Sequence, residues 1–289
     1  SGVLDLEMDA GEYINTSDFK YSLVSSNANS LILRLPFEEG SYMDAVYSLA
    51  PESYMLEYSL HFVGMDKLIP RSSNSFKVNW TMDVPRLEKG YENEKNYSSL
   101  AYRYLNSSDV KEISLRKDGG SENLAGQTDW VAFKQQFFSA ILISDEGFSN
   151  GEVAIKAYPD RVGDTRLAAA AAALNVEYGE KNADFTKNFK FYFGPNHYPL
   201  LKSYDKNFDK LIPLGGWLVG SINKYVIIPV FNWLSKYIAS YGIIILILTL
   251  LIKAVISPLT LRSYLSSAKM KVIKPEVEKI NAKYPKESD

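Results

Sequence analysis

The chain has 289 residues, a net charge of −2 and 46 % apolar residues, a length that suits one large domain or two ordinary ones. It has no cysteine, which excludes disulfides and thiolate metal sites, and His61 and His197 alone are too few for a histidine-based metal or catalytic cluster. The averages hide an asymmetry: residues 262–289 hold 7 basic and 4 acidic side chains, against 25 basic and 30 acidic before them.

The opening residues, "SGVLDLEMDAGEY", have neither the basic flank nor the apolar core of an export signal. Since an apolar span follows far downstream, the chain is expected to have lost its start. Most of the next two hundred residues predict strands. "SLILRLPF", "YMLEYSLHFVG" and "SFKVNWTMDV" alternate apolar and polar residues, so that Leu56, Tyr58, Leu60 and Phe62 share one face and Glu57, Ser59 and His61 the other. "NFKFYFGP" sets Phe189, Phe191 and Phe193 together, and turn clusters such as "SSNANS" and "KDGGSEN" separate the runs. Such strands with aromatic faces predict a large antiparallel sandwich over residues 1–205. Trp80 and Trp130 are expected in its core rather than on a sugar-stacking surface, and both histidines on its outside. "RLAAAAAALNVEYG" is compatible with either a short helix or a tightly packed strand.

Residues 206–237 change character. Trp217, Tyr225, Trp233 and Tyr237 punctuate an apolar stretch that Pro229 interrupts and in which Lys224, Asn232 and Lys236 are sparse. That pattern predicts an amphipathic helix region lying in the headgroup layer, with those four aromatic residues as anchors. Residues 238–261 carry one charge, Lys253. As a helix they would reach roughly 36 Å, enough for a hydrocarbon core of about 30 Å. One lysine costs about 2.5–3.5 kcal/mol at the centre of a span, and "IIILILTLLI" outweighs it, so a transmembrane helix is predicted. Arg262, Lys269, Lys271 and Lys274 follow with no acid among them. The positive-inside rule then places 262–289 in the cytoplasm and the sandwich outside.

At 100° per residue, Thr249, Lys253, Ser257 and Thr260 fall within about 40° of one line, and Gly242 continues it outward. Polar side chains inside a bilayer face a partner or a water-filled cavity. Lys253 alone is open to another reading, in which it snorkels to the interface. Thr249 lies deeper on the same face and cannot snorkel, which favours the hydrated cavity. No phosphate-cradling loop, metal spacing or nucleophile elbow occurs, so no enzyme, cofactor or metal is expected. Anionic lipid explains the basic tail more simply than nucleic acid does.

The stretch "SYGIIILILTLLIKAVISPLTLRSYLSSAKMKVIKPEVEKINAKYP" resembles the YidC family of bacterial membrane-protein insertases, closest to its Bacteroidetes-type members. The specific elements are "PLT" at Pro258–Thr260, "SYLSSAKM" at Ser263–Met270 and "KPEVEKINAKYP"; upstream, "DWVAFKQQFFSAIL" and "FYFGPNHYPLLKSYD" are similar to the family's periplasmic domain. The resemblance implies a mutarotase-like β-supersandwich in the periplasm of an inner-membrane protein, then an interfacial helix and a core of membrane helices around a hydrophilic groove. It implies clients that are nascent membrane proteins, partners that include the bilayer, the Sec translocon and ribosome or targeting machinery, and no covalent step. Lys253 matches the groove's positive residue and Thr249 its hydroxyl neighbour. Many relatives have Arg there; Lys keeps the charge but not the planar five-donor fork. It further implies that the chain is a fragment, with 262–289 the first arm of a cytoplasmic hairpin. Two rivals are a membrane-tethered carbohydrate-binding or sugar-processing sandwich and a single-span scaffold for export machinery.

Overall fold

The computed structural model describes residues 2–10, 13–161, 163–179 and 183–283. Its strands begin with β1 (Gly2–Asp9), β2 (Tyr13–Asn15), β3 (Ser22–Ser26), β4 (Ser30–Pro36), β5 (Tyr42–Leu49), β6 (Met55–Val63) and β7 (Ser75–Pro85). After helix α1 (Tyr91–Tyr97) come β8 (Ser99–Tyr104), β9 (Val110–Ser114), β10 (Gly119–Leu124), β11 (Thr128–Lys134) and β12 (Phe138–Phe148). β13 (Asn150–Ala157), β14 (Arg166–Glu177) and β15 (Phe185–Pro195) complete them. They form a six-stranded sheet, β10-β13-β14-β7-β1-β2, and a nine-stranded one, β3-β4-β5-β6-β15-β12-β11-β8-β9. The strand pairs are antiparallel, as hairpin-rich alternation requires.

The alternating strands bury the faces they were expected to bury. Tyr58, Leu60 and Phe62 on β6 and Phe76, Val78, Trp80 and Val84 on β7 all lie in the core between the sheets. Trp80 stacks on Phe133 of the opposite sheet at 4.0 Å between ring centres. His61 and His197 are exposed. Phe193 departs from its neighbours: Phe189 and Phe191 are buried, whereas Phe193 is 50 % exposed and stacks on Phe191 at the rim.

The alanine run is strand β14, paired along its length with β13 on one side and β7 on the other. Ala172 lies opposite Trp80 and Ala170 opposite Met82, so small residues make room for large ones on the next strand. Packing between two strands overrides alanine's helix preference.

A second core covers the outer face of the nine-stranded sheet, where Trp130, Ile141, Ile143 and Tyr192 meet Leu201, Phe208 and Leu211. With both faces covered, β11 is buried at every position, so its middle, Trp130–Phe133, is an unbroken apolar run, while Asp129 and Lys134 are buried charges at either side of it. The covering segment is α2 (Tyr198–Ser203) and a single 3-10 turn at Phe208–Leu211. The sandwich therefore extends to Ile212 rather than to 205, because Phe208 and Leu211 are part of its packing; a second compact unit starts at Pro213.

That second unit comprises α3 (Trp217–Ile222), a π-helical turn at Asn223–Ile227, α4 (Ile228–Ser235) and α5 (Tyr241–Lys283). α5 is one helix of 43 residues, so the expected division at 261 falls inside a continuous element; 284–289, the rest of the expected cytoplasmic helix, lie outside the described residues. Among the described residues α5 is the one helix long and apolar enough to cross a membrane. Leu234 of α4 packs on Ile244 and Leu248 of α5, with Val230, Phe231 and Ile247 beside them.

Candidate functional site

Along α5 the four stripe residues are exposed, and three of them share a concave strip of about 330 Å3 lined by Lys253, Ile256, Ser257, Thr260, Leu261 and Tyr264. Thr249 lies one turn earlier and outside that strip. The hydroxyls turn back onto their own helix. Thr249 Oγ1 donates to the Ile245 carbonyl at 2.8 Å and Thr260 Oγ1 to that of Ile256 at 3.1 Å. Ser257 Oγ donates to the Ala254 carbonyl at 3.2 Å. That carbonyl is the one Pro258, having no N–H, leaves without its helical donor, so Ser257 lets the helix run on through the proline. Each hydroxyl still presents its lone pairs outward, and Lys253 supplies the strip's one full charge.

Tyr264 was not among the expected residues. It lies eleven positions after Lys253, close to three helical turns, and that spacing alone could have found it. Gly242, placed on the same line by periodicity, is not part of the concavity.

Around α3 and α4 the expected anchors are exposed: Trp217 at 86 %, Tyr225, Trp233 and Tyr237 all above half. Trp233 and Tyr237 pack edge to face at 5.5 Å, and Phe231 stacks on Tyr241 at 5.9 Å. Pro229 sits in the first turn of α4 directly after the π-turn, whose widened bond runs from the Ile228 N–H to the Asn223 carbonyl. The basic residues Arg262, Lys269, Lys271 and Lys274 are exposed on the last part of α5, where Lys274 pairs with Glu278 at 3.7 Å.

The sandwich has its own concavity, about 730 Å3, on the outer face of the six-stranded sheet, floored by Ala154, Ala169 and Ala171. Neither histidine lines it, and among the described residues no group of three or more His, Asp or Glu is placed to hold a metal.

An antiparallel β-sandwich followed by short helices and one helix long and apolar enough to cross a membrane makes this a sandwich domain joined to a candidate membrane span. The comparisons agree and go further. Residues 7–229 match the family model described as the YidC periplasmic domain, and residues 233–289 match that of the 60Kd inner membrane protein. The chain belongs to the YidC family. It is 39 % identical over 281 residues to the membrane protein insertase YidC of Parabacteroides distasonis, covering 94 % of this chain and 43 % of that protein. With the insertase of Bacteroides fragilis the identity is 35 %, covering 96 % and 45 %. The chain thus spans less than half the length of these curated relatives. Among solved structures, a putative aldose 1-epimerase of Escherichia coli overlaps 61 % of this chain and 69 % of its own, at 11 % identity and a TM-score of 0.36.

Proposed function

We propose that the chain is the part of a membrane-protein insertase and folding chaperone that joins its sandwich to its substrate groove. The sandwich would stand in the periplasm, α3 and α4 in the outer headgroup layer of the inner membrane, 238–261 across the bilayer and 262–283 in the cytoplasm. The observation that carries this is the polar stripe on α5: a charge and three hydroxyls on one face of the apolar helix, in the segment matched by the 60Kd inner membrane protein family. In the full-length protein other helices would close a hydrated groove over that face. A polar segment of a nascent membrane protein would enter there, shortening its path through hydrocarbon, without covalent chemistry or a cofactor. Nascent membrane proteins and lipid are its partners in this reading, with the Sec translocon and ribosome or targeting machinery delivering clients.

Lys253 acts here as a point charge. At 4 Å an ion pair is worth about 4 kcal/mol at an effective dielectric near 20 and about 1 kcal/mol in water, so a hydrated groove lies between. In cells depleted of the native insertase and carrying full-length variants, Lys253→Arg should insert an acidic client normally. Lys253→Glu should lower its insertion about tenfold or more, the effect of roughly 1.4 kcal/mol, and Lys253→Ala less. Clients with neutral translocated segments should be indifferent to all three. Protease protection of one short client in acidic and neutralised forms reads the outcome. Normal insertion of the acidic form by both the Ala and Glu variants would reduce Lys253 to a snorkelling side chain.

A further inference from the structure

β11 carries an irregularity between Thr128 and Trp130, and there the carboxylate of Asp129 is turned to the outer face with no solvent exposure. It pairs with Arg103 of β8 and, at 2.9 Å, with the Lys206 ammonium, while the Trp130 indole N–H donates to the Lys206 carbonyl at 3.0 Å. The segment Tyr204–Ile212 is fixed by these bonds, by Phe208 against Trp130, and by Lys210 Nζ on the Ser108 carbonyl at 2.5 Å. Its seam with the sheet is not fully packed, since a space of about 300 Å3 remains between Tyr204, Phe208 and the strands. Phe208 and Leu211 seat the arm in the outer core, and the buried Asp129 carboxylate pins it at its start. Beyond Ile212 the chain passes through Pro213–Gly216, with Gly215 at φ +99, into α3.

We infer that Asp129 is a latch that sets the length of the tether between the sandwich and the membrane segment. Docked, the tether is Pro213–Gly216, at most about 14 Å long; with the arm released, the free chain from Lys206 to Gly216 reaches roughly 38 Å. Asp129 suits this role because it is the shared acceptor of both cations. Its removal leaves Arg103 and Lys206 repelling each other under the arm, whereas loss of Lys206 still leaves the Arg103 pair intact.

The inference rests on the proposed placement of the second unit in the membrane only for its lipid readout, so the experiment has two arms. Full-length protein in nanodiscs is digested briefly with trypsin, comparing cleavage at Lys206 and Lys210 with cleavage at Lys67 and Lys89 in loops remote from the arm. Asp129→Asn should speed the first pair at least tenfold and leave the second unchanged, and a disulfide between Ser108→Cys and Asn207→Cys should reverse it. Lys206→Met, which keeps the Asp129–Arg103 pair, should speed cleavage at Lys210 by a smaller factor and serves if Asp129→Asn does not fold. Energy transfer from a fluorophore at Glu122 to headgroup-labelled lipid should fall in Asp129→Asn and recover with the disulfide. Uniform acceleration at all sites, or none at the arm in either variant, would overturn the latch. Local release without a change in energy transfer would overturn its control of the tether, whatever the client assays show.

Discussion

On β11 the side chain of Lys134 follows Trp130 and Ala132 onto the outer face, and only 7 % of the residue is exposed. Ser99 and Ser139 stand opposite it on the two neighbouring strands, and Glu112 is the carboxylate whose field reaches it. Ser99 itself donates to Glu112 at 3.1 Å. Burial holds the Lys134 amine below its ordinary 10.5, only partly offset by Glu112. A lysine whose folded pKa is depressed destabilises the fold fully at pH below that value, and the penalty fades as pH rises through it towards 10.5. Lys134→Met keeps the apolar stem and removes the charge. It should raise the melting temperature of the sandwich at pH 7 by about 2–4 °C, the shift 1 kcal/mol gives in a domain of this size. The gain should shrink as the pH approaches 10.5, and thermal melts at the two pH values check both size and sign. A gain that did not change with pH would assign the effect to packing instead. Lys134 also shows what was not legible beforehand. Inside "VAFKQQFF" it looks like a lysine at the end of a strand, and nothing in that stretch shows that the folded sheet leaves it only 7 % exposed. Asp129 was hidden in the same way. Lys253 was legible because a charge inside an apolar helix stands out without knowledge of any neighbour.

Among the elements, those whose side chains alternate in type were readable, since period-2 burial on β6 and β7 follows from sequence alone. β14 was not, because six consecutive alanines have no period; its partners β13 and β7 decide it. The helices before α5 raise a related question, which Pro229 answers. Proline lacks an N–H and its ring crowds the carbonyl four residues back, that of Tyr225. The π-turn ahead of it opens the helix at that place and adds a residue to the turn. One residue is about 100° of rotation, so the turn also sets which face α4 presents to α5 and brings Leu234 onto Ile244. With Pro229→Ala the segment can return to α-helical register and carry Leu234 and Phe231 away from that contact. Cysteines introduced as Phe231→Cys and Tyr241→Cys, where the rings now lie 5.9 Å apart, should oxidise to a disulfide several-fold faster with Pro229 than with Ala. Equal rates would show that the interhelical packing, not the proline, fixes the rotation.

At the scale of the whole chain the strongest directional signal is charge. The sandwich and the segment after the span are balanced differently, and the four cations from Arg262 to Lys274 stand on α5 before its first acid, Glu276. Acidic residues contribute little to orientation, whereas cations within 15–20 residues of a span hold their end in the cytoplasm. Lys269, Lys271 and Lys274 fall within that distance of Leu261. α5 also continues about 33 Å past Leu261 as a helix, so the cations are carried on a helical continuation of the span. The sandwich, with Ser72 exposed on the loop before β7, would then face the periplasm. Single cysteines at Ser72 and Ser266 test this in intact spheroplasts, since the chain contributes none of its own. A membrane-impermeant thiol reagent should label Ser72→Cys and spare Ser266→Cys until the membrane is opened by detergent. Replacing Arg262, Lys269, Lys271 and Lys274 together by Gln should produce a mixed population, with labelling at Ser266→Cys rising several-fold. If the neutralised chain kept its single orientation, the export of the sandwich and not the basic segment would be what fixes the topology, and the charge asymmetry would be read as a lipid contact alone.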